Sequence, residues 1–417
     1  MAPCQGVVEA LAKIESSTAE KAGLYESLLN NISEVSSPAT ASDDLKAIAE
    51  RSLNDALGVV ATRAVLNTFV ATLQALDDDD IRIDVGTRTI SLLSSAQPSA
   101  FLDATATLCE LVATAHENRE DFAEAAKVLG EIPLDSSQRK VTDEERAKVW
   151  IRIVRNYLEV DDATAADTYI NKLKNMMHTV ADQDLTLHFR LSQARIQDAK
   201  RDFLSASQRY HEISFSPAAI ADEERLHTLS MAIKCAVLGP AGPLRSRALG
   251  RLYRDERSRQ LPDEFGMLEK MFLDRLLSPA EVDKFAEGLQ PHQLAKTSDG
   301  STVLAKAVVE HNLLGVSRLY SNIRFDALGS LLGLDADRAE ETTARMIEQG
   351  RLGGRMDQLA GIVWFDGGQG GGPAGVVFGK EMRRWDANVE SLAEDVEHVT
   401  NSLQREFPDF VAANLTV

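Results

Sequence analysis

A mostly α-helical fold, with a helical-repeat arm leading into a small mixed module, is predicted by three observations on this 417-residue sequence. Apolar residues recur at spacings of three and four over most of its length, the period of a buried helix face. A short pattern returns in the first half at offsets of 41 and 40 residues, in the range of stacked helix pairs. Aromatic residues make up only 6% while Ala, Leu, Glu and Asp abound, which favours helix over sheet.

Charge and cysteine usage narrow the class. With 45 Lys and Arg against 64 Asp and Glu, the formal charge is −19. That sign argues against nucleic acid or anionic membranes as main partners. Cys4, Cys109 and Cys235 are too far apart to outline a disulfide framework or a zinc site, which fits a reducing interior. Met1–Cys4 leads into an amphipathic pattern rather than a signal peptide, and no apolar run approaches the roughly 20 residues needed to cross a bilayer. A soluble intracellular chain is expected.

From Val7 to about Phe215 helix follows helix, broken at Ser36-Ser37-Pro38, Asp77–Asp80, Gln97-Pro98 and Pro133. Thr142 and Glu145 form a capping box ahead of the apolar face of Val149, Ile153 and Tyr157. The repeat is Asp121-Phe122 through Ala126 with Leu129, then Asp162-Ala163 through Ala166 with Ile170, then Asp202-Phe203 through Ala206 with Tyr210. Small Ala at a crossing lets two helices approach, and the larger residue a turn later fills the groove. Asp77–Asp80 lacks the Gly and distal Glu of a calcium loop and reads as a solvated turn. From Ala218 to Leu314 the helices are longer and more apolar.

Between Glu310 and Phe365 the pattern changes. Leu313, Leu314, Leu319 and Tyr320 keep helical spacing, and Phe325, Leu328, Leu331 and Leu332 line a short second helix. Gly333 ends it, and Asp335 stands ready to cap a third helix, about Ala336 to Gln349, that closes at Gly350. That helix turns Ala339, Thr343, Met346 and Ile347 inward. Arg355-Met356-Asp357 and Ile362–Phe365, separated by Gly361, then predict a hairpin. The outline is that of a winged helix. From Ile323 to Phe365 it carries five arginines against seven acids, so it would repel a phosphate backbone and is read as an assembly surface.

Asp366–Gly375 is a flexible linker by composition. Beyond it Trp385, Val389, Leu392, Val396, Val399, Leu403 and Phe407 form a helical stripe about 34 Å long. A helix on such a tether must bury this stripe on its own domain or in a bundle with other chains. Catalytic constellations are absent: no His-Glu-x-x-His, no nucleophile elbow and no phosphate loop. The scattered histidines, His178 and His188 included, lack metal spacing, and Cys235 reads as a small core residue. Arg245, Arg247, Arg251, Arg254, Arg257 and Arg259 cluster against only Asp255 and Glu256. They read as a solvated face paired with the chain's own acids, or as a contact for an acidic partner.

Phe265-Gly-Met-Leu-Glu-Lys-Met-Phe-Leu-Asp-Arg275, Pro291-His-Gln293, Asp299-Gly-Ser301 and Glu310-His-Asn-Leu-Leu314 occur in order. Leu319-Tyr320, Gly350-Arg-Leu and Gly361-Ile-Val follow them. Densely from about Asn156 to Phe365, this set resembles the subunit-four family of the COP-9 signalosome. The resemblance implies an arm at 1–199, a PCI domain at 200–366 with its winged helix at about 310–365, and a linker with a bundle helix at 367–417. It implies a non-catalytic scaffold, without cofactor or metal, in the complex that removes the ubiquitin-like Nedd modifier from cullin–RING ligases. The isopeptidase chemistry of that complex resides in a different, zinc-bearing subunit.

The expected partners are the other PCI and MPN subunits, with the cullin–RING ligase as substrate reached by the arm, and the expected location is cytoplasm and nucleus. The wing strands would leave an unpaired edge for a neighbour's sheet, through Met356, Ile362, Val363, Trp364 and Phe365. The stripe from Trp385 to Phe407 would enter a shared bundle. The Gly367–Gly375 insertion departs from the family and lengthens the tether. The rival readings are a PCI subunit of the proteasome regulatory-particle lid and, against the charge, a winged-helix nucleic-acid regulator.

Overall fold

The computed structural model describes residues 3–17, 21–37, 40–54, 57–96, 100–134, 139, 141–216, 221–296, 300–366 and 373–414. The chain divides into two compact units, Met1–Ala221 and Asp222–Val417.

In the first unit the repeat is written into the backbone. Leu102–Asn118 with Phe122–Gly130, Asp143–Glu159 with Ala163–Lys174, and Gln183–Ala199 with Phe203–Ser214 make three successive helical hairpins. Each turns through one residue in the left-handed region: Glu120, Asp161 and Arg201, with φ of 63°, 59° and 64°. The next amide, of Asp121, Asp162 or Asp202, then donates back to the carbonyl of His116, Tyr157 or Gln197 at 2.9, 3.0 and 2.9 Å. This closure satisfies a carbonyl that the ending helix would otherwise leave open. Ala126, Ala166 and Ala206 are wholly buried at the crossings, and Leu129, Ile170 and Tyr210 fill the grooves beside them.

Polar pairs tie one hairpin to the next. Glu117 accepts from Arg152 at 2.8 Å and from Asn156 at 2.7 Å, and Glu159 accepts from Arg195 at 2.9 Å. The capping box is present: Thr142 Oγ1 accepts from the Glu145 amide at 3.3 Å, and Glu145 accepts from the Thr142 amide at 3.1 Å. The acidic run opens helix Asp79–Ala96 and is held by bases: Asp79 accepts from Arg82 at 2.8 Å and Asn118 at 3.1 Å, and Asp80 pairs with Arg119. The unit boundary lies at Ala221 and Asp222 instead of the expected 199 and 200. A cut at 199 would split the third hairpin between its two packed helices.

The second unit runs α1 (Asp222–Leu238), α2 (Pro243–Arg254), α3 (Pro262–Phe272), α4 (Pro279–Ala286) and α5 (Val303–Leu319). It continues with β1 (Asn322–Arg324), α6 (Phe325–Leu332), α7 (Ala336–Glu348), β2 (Gly354–Asp357) and β3 (Ile362–Phe365). α8 (Pro373–Glu406) and α9 (Pro408–Asn414) close the unit. Gly333, at φ 70°, ends α6, and the Leu334 amide donates to the Gly329 carbonyl at 2.9 Å. Asp335 caps α7 by accepting from the Arg338 amide at 3.1 Å. Gly350, at φ 68°, closes α7 as the Arg351 amide donates to the Met346 carbonyl at 2.9 Å.

The predicted winged helix is therefore present, with one addition. β1 joins the hairpin to give an antiparallel sheet in the order β1-β3-β2, with Ile323 opposite Val363 and Met356 opposite Val363. Leu313, Leu328, Ala339 and Met346 pack the core beneath it. Leu319, Tyr320 and Leu331, expected on buried faces, are exposed. Of the expected Gly-rich linker, Gly367–Gly372 lies outside the described residues, while Pro373–Gly375 already belongs to α8.

Candidate assembly surface

Helix α5 organises the module through three consecutive buried polar residues on an otherwise apolar rod. Adjacent positions on a helix point about 100° apart, so Glu310, His311 and Asn312 reach three different neighbours. Asn312 accepts from the Leu277 amide at 2.9 Å and donates to the Leu277 carbonyl at 3.2 Å. His311 donates from Nε2 to the Arg275 carbonyl at 2.9 Å. Glu310 accepts both arms of the Arg351 guanidinium, at 2.5 and 2.9 Å, and the Ala241 amide at 3.2 Å.

Burial works to raise the Glu310 carboxyl, but the Arg351 bonds and charge, the Ala241 amide and nearby Arg245 outweigh it and hold the group below the ordinary carboxylate range. Arg245 itself is buried, not part of a solvated face; it donates to the Gly239 carbonyl at 3.2 Å. Burial pulls its guanidinium down to about 10, against the supporting charge of Glu310.

Burial also lowers the His311 imidazole below its ordinary 6.5, despite the Arg275 carbonyl that favours the protonated ring. The unfolded chain therefore takes up a proton near pH 6.5 that the folded chain refuses until lower pH. Stability is full above that value and falls as pH drops through it. H311Q, which keeps a donor, is expected to show a flatter loss of denaturation midpoint between about pH 7 and 5.5 than the parent chain. Parallel slopes would count against a neutral buried ring.

The wing corrects one expectation. β3 is the central strand, paired on both sides, so Ile362–Phe365 offers no free edge. Val363 and Phe365 are 0% and 5% exposed and serve the module's own core. A proline at Val363 would break the internal ladder, not a docking contact. The sheet margins are β1 and β2. Beside β2, Met356 and Trp364 are half-buried, as is Ile362 on β3, and the Arg355 guanidinium sits 5.4 Å from the Trp364 ring centre. Arg355, Met356 and Trp364, with Ala344, Asp357 and Gln358, border an open groove of about 690 Å³. Leu359 at the hairpin tip is fully exposed, and no periodicity in the sequence marks it.

The stripe on α8 is bare. Trp385, Val389, Leu392, Val396, Val399 and Phe407 are 45–66% exposed, and Leu403 is half-buried. Phe407 sits at the joint with α9, its amide donating to the Leu403 carbonyl at 2.8 Å. Among the described residues no His, Cys, Asp or Glu group is arranged to hold a metal ion, and no helix is long and apolar enough to cross a membrane. On α7 the exposed face carries Asp337, Glu341 and Glu348 against Arg338, which keeps the charge argument against duplex reading intact.

Comparison with known proteins matches the chain to two family models and to full-length relatives. Residues 6–222 match the family described as PSMD12/CSN4, N-terminal, and residues 282–366 match the PCI domain. The COP9 signalosome complex subunit 4 of Neurospora crassa is 55% identical, over 98% of this chain and 98% of its own length. The proteins of the same name from Emericella nidulans and Dictyostelium discoideum are 47% and 38% identical, over 96% and 93% of this chain and 98% and 93% of theirs.

Proposed function

This chain belongs to the COP9 signalosome subunit 4 family, and from that premise we propose that it is a non-catalytic scaffold subunit of the complex that removes the Nedd modifier from cullin–RING ligases. The observation that carries this reading is the uncovered stripe on α8. Six large apolar side chains in a row are a surface built to be covered, and a bundle of helices from neighbouring PCI and MPN subunits covers it. The winged helix supplies a second contact. Its open margin is β2, with Met356, Trp364 and Arg355 beside it, and a neighbour's strand adds there by main-chain pairing. The stacked hairpins of the first unit form the arm that reaches the cullin–RING substrate. Cytoplasm and nucleus are the compartments where such a complex works.

The test is to purify the tagged full chain from its own cells and analyse the intact assembly by native mass spectrometry. The expected result is a defined multi-subunit complex that releases the Nedd modifier from a cullin, while the isolated chain releases none. Elution as a lone monomer, companions from the proteasome lid, or isopeptidase activity in the isolated chain would overturn the reading.

A further inference from the structure

Helix α2 buries one face and leaves the other bare. Arg245, Ala248, Leu249 and Leu252 point into the unit, whereas Leu244, Arg247, Arg251 and Arg254 are exposed. At 100° per residue the exposed four fall within a sector of about 80°, opposite the buried side, and the three arginines span about 10 Å of axis. Arg259, at the end of the turn Glu256–Gln260, is exposed as well.

The other arginines of this cluster have structural duties. Arg245 lies buried beside Glu310, and Arg257 is held by Asp255 at 2.7 and 3.0 Å. Arg247, Arg251, Arg254 and Arg259 form no ion pair with any described residue. The first turn of α2 holds no acid, so cations at i, i+4 and i+7 repel one another without an offset on their own helix. In a chain of net charge −19 acids are abundant, yet among the described residues Asp255 is taken by Arg257 and none pairs with these four arginines.

We propose that this face docks a carboxylate-rich helix of a partner protein whose acids recur at i, i+4 and i+7, in step with Arg247, Arg251 and Arg254. The spacing is the helical one, so two parallel rods bring three carboxylates to three guanidiniums. Arginine suits that role because its planar fork takes a carboxylate through two parallel bonds. Leu244, 64% exposed at one end of the row, gives the partner an apolar foothold. The site shares no residue with the α8 stripe or the β2 margin, so it is tested independently of the assembly role.

A fluorescein-labelled, alanine-based helical peptide with three glutamates spaced four and three apart is titrated with the full chain. It is expected to bind at about 0.05 M salt and to weaken at least about tenfold at about 0.5 M. R247Q/R251Q/R254Q, in which only exposed side chains change, is expected to lose about tenfold in affinity at low salt. R247E/R251E/R254E is expected to reject that peptide and to bind its lysine counterpart of equal spacing. Undiminished binding by the glutamine variant, or no binding of the lysine peptide by the charge-reversed variant, overturns the proposal. So does binding of inositol hexakisphosphate without binding of the peptide, which would make the face a polyphosphate site.

Discussion

Replacing Glu310 with Ala is expected to cost the winged-helix module about 3–5 kcal/mol, the usual loss when one partner of a buried ion pair is removed. Glu310 is 4% exposed and Arg245 3%. Without the carboxylate, Arg351 loses a two-pronged partner and Arg245 loses its nearest compensating charge. The Ala241 amide is left unpaired as well. The pair joins the helical half of the unit to the residue that leads from α7 into β2, so the cost falls on the wing. In a W150F/W385F background, Trp364 fluorescence reports denaturant unfolding of this module alone. E310M/R351M is expected to recover part of the loss, because it removes the stranded Arg351 charge while Arg245 still lacks its compensating carboxylate. Since the Glu310 carboxyl is held below its ordinary 4.5, its contribution is complete above that pH and lost as pH falls through the lowered value. A shift of E310A below about 0.5 kcal/mol would mean that the pair is not buried in the folded chain.

Changing Leu392, Val396 and Val399 together to Glu is expected to release the chain from its complex without altering its own melting temperature. These side chains are 63%, 58% and 57% exposed, so the free chain loses little. Covering the six bare residues contributes roughly 6–10 kcal/mol, at somewhat over half of the full burial value for each. Three carboxylates in a closed bundle cancel that gain and add the cost of unpaired buried charge. Size-exclusion chromatography of the assembly and a thermal melt of the isolated chain read the two effects separately. A triple variant that still co-elutes with its companions would remove α8 from the interface.

The winged-helix module was the most legible part of the sequence because its punctuation is local. Gly333, Asp335 and Gly350 each have one conformational job, and each does it where its neighbours in sequence say it should. β1 escaped notice because it is three residues long and only Ile323 turns to the core. Without β1, β3 reads as an edge strand, whereas in the sheet it is central and Val363 and Phe365 face the core. Arg245 reads in the sequence as one of a surface cluster, because its burial depends on a carboxylate 65 positions away, which no spacing rule reveals. Glu310, His311 and Asn312 did carry a signal: three polar residues in a row on an apolar helix cannot all face water. The repeat is visible through Ala126, Ala166 and Ala206, and its backbone counterpart lies one residue before each Asp, where two carboxylates and a guanidinium have no chemistry common to all three.

That unlike trio at Glu120, Asp161 and Arg201 has an architectural corollary. Identical backbone corners made from dissimilar side chains mean that the bend is enforced by stacking, not by any particular residue. Such an arm can lengthen or shorten across evolution in whole two-helix increments, each new segment inheriting the same corner. Reach, for this kind of molecule, comes in quanta.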